Sequence, residues 1–163
     1  MIKTYYYNAE PIGRILEIKV RDSEYVVGIN YVAGDADGGY VLDDFTEVEC
    51  EVALQCVREL EMYFRGKLET FSVAIEFNRG TEFQQAVWNE LRRIPFGETI
   101  SYKELAVRCS GVTYSRAVAN ANGKNPISII VPCHRVISSD GSIGGYTGGV
   151  DIKEKLLGIE GVV

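Results

Sequence analysis

Two adjacent side chains set the chemical question. The segment "NPISIIVPCHRVI" (residues 125–137) holds the chain's one histidine, His134, directly after Cys133. A thiol beside an imidazole points to nucleophilic chemistry in which the histidine takes the thiol proton. The rival reading is a buried structural cysteine next to a core histidine. Neighbouring side chains point to opposite faces of a strand and diverge by about 100° on a helix. A direct dyad, which thiol proteases build from separate segments, is therefore disfavoured. A water or a local turn has to link the two groups, and His134 needs an orienting acid from elsewhere. Thiolate formation alone contributes little. A free thiol of pKa ~8.5 is roughly 3% ionised at pH 7, and lowering the pKa to ~7 makes that roughly half. Nucleophilicity falls in parallel, with a slope of ~0.4–0.5, so the net gain is about threefold. Most of the acceleration has to come from placing the electrophile and helping the leaving group.

The elements that position this pair change in character along the chain. "TYYYNA", "GRILEIKVR" and "YVVGINYV" are β-branched and aromatic runs separated by turn-forming stretches, so a small antiparallel sheet is expected. "EVECEVALQCVRELEMYFRG" has apolar residues from Val48 to Phe64 at helical spacing and ends at Gly66. "FSVAIEF" reads as a further strand. After Gly80 helices take over. Thr81 and Gln84 have capping-box spacing, as do Ser101 and Glu104, and Asp151 with Glu154. "SYKELAVRCSG" and "TYSRAVANANG" read as two short helices with a tight turn, a helix-turn-helix pattern with its second N-cap near Thr113. "ISIIV" reads as buried extended chain. The expected fold class is α+β: residues 1–79 form a lobe with a small antiparallel sheet and a helix, and residues 80–163 a mostly helical lobe containing the helix-turn-helix and Cys133.

Composition narrows the classes. The chain has 163 residues and a net charge of −6, which excludes a protein that holds nucleic acid by bulk charge. The distribution is uneven. Residues 1–80 carry 8 basic and 15 acidic groups, whereas 101–135 carry five bases and one acid. Of the four cysteines, Cys50, Cys56 and Cys109 fall in helical-looking segments and read as small core residues. No pair has C-x-x-C spacing and one histidine cannot complete a usual zinc set, so no metal is expected. The N-terminus lacks an apolar signal core and the apolar runs are too short for a bilayer. A cytoplasmic protein without membrane contact is expected, associated with the nucleoid if the source is prokaryotic.

"PCHRV" (residues 132–136) resembles the active-site signature of the O6-alkylguanine-DNA alkyltransferases, which repair alkylated guanine in DNA. "FQQAVWNELRRIPFGETISYKELA" lies upstream, "RAVANANGKNP" between, and "GGYTGG" and "KEKLLGIEG" downstream, in the family's order. The resemblance covers about residues 80–161. It implies that Cys133 takes the alkyl group from guanine O6, irreversibly and once per molecule. It implies that His134 accepts the thiol proton through a water, that Glu160 orients His134, and that Tyr102 donates toward guanine N3. Asn125 would fix the turn before the cysteine, and Arg116 would fill the gap left by the flipped nucleotide. Tyr146, Thr147 and Gly148 would line the base pocket, with backbone contacts from Val131 and Val136. Thr113, Tyr114, Ser115, Ala117, Ala119 and Arg135 would complete the DNA-contacting set. The implied partner is double-stranded DNA bearing O6-alkylguanine, entered from the minor groove with weak sequence preference by a monomer. No cofactor is implied.

Physical chemistry is consistent with this assignment. A base inside a duplex hides its O6 substituent, so it must be extruded at a cost of a few kcal/mol. Ala117, Ala119 and Ala121 would let a helix approach a groove closely. Three departures stand out. Ser128 occupies a position where the family often has proline, bordering the alkyl pocket. Ala119 replaces a frequent glycine, and the single histidine excludes the zinc site of some members. The rival functions are a damage-binding protein without chemistry, a thiol hydrolase using Cys133 and His134, and a transcription factor using the helix pair.

Overall fold

The computed structural model describes residues 1–32 and 40–163, which divide into two units, Met1–Asn78 and Arg79–Val163. In the first, β1 (Ile2–Ala9), β2 (Arg14–Arg21) and β3 (Tyr25–Tyr31) form an antiparallel sheet in that order. Leu16, Ile18 and Val20 share the period-2 pattern of β2 and are buried. Helix α1 (Glu51–Phe64) buries Ala53, Cys56, Val57, Leu60 and Tyr63, the spacing of one helical face. Its buried Glu59 accepts hydrogen bonds from the backbone N–H groups of Ser72 (2.8 Å) and Val73 (3.2 Å).

Several sequence expectations need correction here. Val48 precedes α1, whose N-cap is Cys50. "FSVAIEF" is not a strand: it touches β3 through one parallel bridge, Val26 with Ile75. The register of β2 and β3 shifts between Lys19 and Val20, beside Val26. Such a bulge leaves one residue unpaired and increases the local twist, while Val20–Val26 and Arg21–Tyr25 continue the ladder. Of the three cysteines read as core residues, Cys56 is buried while Cys50 and Cys109 are half-buried.

The second unit holds α2 (Glu82–Leu91), α3 (Tyr102–Cys109), α4 (Ser115–Gly123) and α5 (Val150–Ile159). Thr81 caps α2 in a reciprocal capping box with Gln84, and Ser101 caps α3 through Glu104 N–H. Val87, Trp88, Leu91, Leu105, Ala106, Val118 and Ala121 form the core under these helices. The Trp88 indole donates to the Ala121 carbonyl (2.8 Å), pinning α2 to α4.

Residues Val112–Tyr114 form a 3-10 turn, and α4 is capped at Tyr114, next to Thr113 as expected. One expected cap is displaced. α5 starts after Gly149, with Asp151 inside its first turn. Gly149 has φ +106, a backbone conformation that L side chains rarely adopt, so glycine is favoured there. A short parallel pair that the sequence did not announce, β4 (Ile100–Ser101) with β5 (Val136–Ile137), sets the start of α3 beside the end of the Cys133 segment. Among the described residues no helix is long and apolar enough to cross a membrane.

Candidate active site

The segment before Cys133 is a folded turn, not the extended chain expected for "ISIIV". Asn125 builds it: its Nδ2 donates to the Val131 carbonyl (2.8 Å) and its Oδ1 accepts from Ile127 N–H (3.0 Å). Val131 N–H closes on the Ile127 carbonyl (3.0 Å). The turn holds Ile129 at φ +74, a strained conformation for a β-branched residue. Cys133–Arg135 then form a 3-10 turn. With three residues per turn, successive side chains diverge by about 120°. Cys133 and His134 therefore point apart, as their adjacency implies.

Behind the turn lies a buried charge network. His134 is fully buried, and its Nε2 lies 2.6 Å from Oε2 of Glu160. A carboxylate only accepts, so this nitrogen donates. Glu160 also accepts from Arg135 Nε (2.8 Å) and Nη2 (3.1 Å) and from Gly97 N–H (3.1 Å). Arg135 spends its third contact on the Ile94 carbonyl (2.6 Å). It faces inward and is buried, which removes it from the expected DNA-contacting set. Burial lowers the His134 pKa, with the Glu160 bond and charge opposing, so the ring is neutral at pH 7 and able to take a proton. Burial raises the Cys133 pKa, against the hydrogen bonds of Asn125 and Tyr146 and the charge of Lys153. The resting side chain is a thiol.

Cys133 borders a cavity of about 340 Å³ lined by Tyr102, Ala119, Asn122, Gly123, Gly145, Tyr146 and Thr147. That is within the range of small-molecule pockets, ~300–1,000 Å³. Two bonds hold its loop wall: Thr147 Oγ1 donates to the Gly123 carbonyl (3.0 Å), and Lys153 Nζ donates to the Gly145 carbonyl (3.0 Å). Lys153 is fully buried and also donates to the Val136 carbonyl (2.7 Å). Its ammonium lies 5.8 Å from the Tyr102 ring centre. Burial lowers its pKa to about 8.

The expected site residues separate into three groups. Cys133, Tyr102, Ala119, Tyr146 and Thr147 meet at the cavity, and Asn125, His134 and Glu160 support it from within. Thr113, Tyr114, Arg116 and Ala117 are exposed around the start of α4, with Ser115 half-buried. Val131, Val136, Gly148 and Ser128 are not among the lining residues. The Val136 carbonyl is engaged by Lys153, and Ala121 is buried and not at a helix surface. Lys153 and Asn122 were missed. Each sits on the apolar face of its helix, Lys153 with Leu156 and Leu157, Asn122 with Val118 and Ala121. A polar residue at i, i+3, i+4 spacing with core residues was the available signal.

Lys153→Met leaves the buried Val136 carbonyl and the part-buried Gly145 carbonyl without their donor, a cost of about 1–3 kcal/mol. The expected result is an earlier denaturant midpoint and faster proteolysis within residues 141–149. Unchanged values for both would remove Lys153 as the clamp on the loop.

The comparisons with known proteins agree with this geometry. The model for the family "6-O-methylguanine DNA methyltransferase, DNA binding domain" matches residues 82–162. The methylated-DNA–protein-cysteine methyltransferase of Methanosarcina acetivorans is 46% identical over 151 residues, covering 93% of this chain and 94% of that protein. The crystal structure of Mycobacterium tuberculosis O6-methylguanine methyltransferase superimposes with a TM-score of 0.80 at 36% identity, covering 98% of this chain and 93% of that one. A structure of the Mycobacterium tuberculosis protein in complex with DNA gives 0.79 at 37% identity, covering 96% and 91%. With its cysteine on a cavity and a neutral histidine held by a buried glutamate, the chain belongs to the methylated-DNA–protein-cysteine methyltransferase family.

Proposed function

We propose that this protein repairs duplex DNA by flipping an O6-alkylguanine out of the stack and moving its alkyl group to Cys133. The observation that carries the reading is the cavity-facing thiol backed by the His134–Glu160 pair at 2.6 Å. The Cys133 sulfur attacks the alkyl carbon in line, the S–C bond forms, and the C–O6 bond breaks with its electron pair going to the base. The thiol proton passes through a water to His134, whose Nε2 is committed to Glu160, leaving Nδ1 as the accepting atom. The leaving guanine takes a proton at N3 from Tyr102, which borders the same cavity. Glu160 balances the charge that develops on His134. A thioether has no easy return path, so each molecule acts once.

DNA contact is assigned to the exposed start of α4. Arg116 occupies the space of the everted base, and Thr113, Tyr114, Ser115 and Ala117 approach the backbone from the minor groove. Minor-groove readout is degenerate, so the sequence preference is weak, as a damage scanner requires. The protein acts as a monomer. The test is a titration of the protein against a duplex carrying O6-methylguanine. Repair is expected to stop at about one equivalent; continued turnover by the purified protein would overturn the single-use mechanism.

A further inference from the structure

The polar groups around the cavity differ in how fully the protein engages them. Thr147 is bonded to Gly123, and Tyr146 to Cys133. Asn122, on the last turn of α4, is 6% exposed and lines the cavity. Its Oδ1 is buried and has no hydrogen-bond partner among the described residues. Leaving a buried acceptor unmatched is unfavourable, and such groups in native structures call for an explanation.

We propose that the missing partner is the everted base, and that Asn122 is a specificity-determining residue accepting a hydrogen bond from the exocyclic N2 amine of O6-alkylguanine. The inference rests on the function proposed above and adds to it the group on the base that is read. The chemistry of the ligand narrows the choice. Alkylation at O6 leaves N1 without a proton, and N3 and N7 carry only lone pairs. The N2 amine is then the sole N–H donor of the alkylated base. An O4-alkylated thymine has no N–H at all, and O6-alkylhypoxanthine is the same purine without the amine. The torsion that turns a terminal amide is broad and soft. The base would enter the cavity that the Asn122 side chain lines, and a turn about the Cβ–Cγ bond would present the oxygen to it.

The test compares transfer rates from three duplexes, carrying O6-methylguanine, O6-methylhypoxanthine or O4-methylthymine at one position. The wild type should prefer the guanine substrate over the hypoxanthine one. Asn122→Leu, close in volume, should slow the guanine reaction by about tenfold and leave the hypoxanthine and thymine reactions within about twofold. The preference then collapses. Asn122→Ala, which only truncates the side chain, should give the same collapse if the leucine variant does not fold. Equal slowing on all three duplexes, or an unchanged preference, would overturn the role of Asn122 while leaving the alkyl transfer intact. A wild type that takes no methyl group from any duplex would overturn the proposed function, and this inference with it.

Discussion

Cys133→Ala is expected to bind an O6-methylguanine duplex within about threefold of wild type and to transfer nothing, a loss of at least about four orders of magnitude. The separation follows from the layout of the site. The exposed residues at the start of α4 are distinct from the cavity where Cys133 lies, and Cys133 itself is only 6% exposed. The sulfur's partners are the Asn125 and Tyr146 side chains, and Asn125 keeps its own bonds to Val131 and Ile127 without it, so its loss removes a nucleophile and little else. Binding measured by fluorescence anisotropy and transfer measured on the labelled duplex read the two steps independently. Residual transfer by the variant would assign the nucleophile elsewhere, and loss of binding would show that the cavity and the DNA contacts are not separable. The same comparison excludes a damage-binding protein without chemistry, in which the substitution would change nothing measurable.

Glu160→Gln should damage stability and chemistry together, with the two effects separable by a second substitution. The carboxylate collects four donors: one from His134, two from Arg135 and one from Gly97. An amide offers one oxygen and turns two protons of its own toward that cluster. Arg135 is then left buried without a counter-charge, which costs about 3–5 kcal/mol. That is a large part of the ~5–15 kcal/mol that holds a domain of this size. His134 loses its orienting acceptor, so the proton relay should weaken by about 10²–10⁴-fold. In Glu160→Gln/Arg135→Met the buried charge is gone, and at least half of the lost denaturation free energy should return. The transfer rate should not. Recovery of rate along with stability would mean that Glu160 acts only through folding, and the proposed relay would fail.

How far the sequence could be read follows from where its signals originate. Thr81 and Gln84, and Ser101 with Glu104, are local signals, and the helices start where those caps placed them. The three β-rich runs formed the expected sheet because their alternation needs nothing beyond the neighbouring strand. "FSVAIEF" has the same composition but met β3 at a bulge, and composition carries no information about a partner's register. The α4 cap falls at Tyr114, next to Thr113, where Tyr114 N–H closes a 3-10 turn on Gly111; that turn, with its φ of +117 at Gly111, only the folded chain reveals. The "PCHRV" motif located Cys133, His134 and, through the family resemblance, Glu160. Their adjacency already implied an acid from a distant segment, and α5 delivers it. Arg135 misled because a basic residue beside a DNA-type motif reads as a phosphate contact. Only the tertiary packing of Glu160 and Ile94 turns it inward. Lys153 and Asn122 were hidden for the related reason that their value lies in carbonyls and cavity walls contributed by other segments.

The transfer itself is read most directly by mass. The protein is incubated with a duplex containing one O6-methylguanine, digested, and its cysteine peptides weighed. The account predicts one added methylene's mass on the peptide holding Cys133, close to complete at one equivalent of duplex, and none on those holding Cys50, Cys56 or Cys109. An unmodified Cys133 beside a repaired duplex, or the added mass on another cysteine, would contradict it.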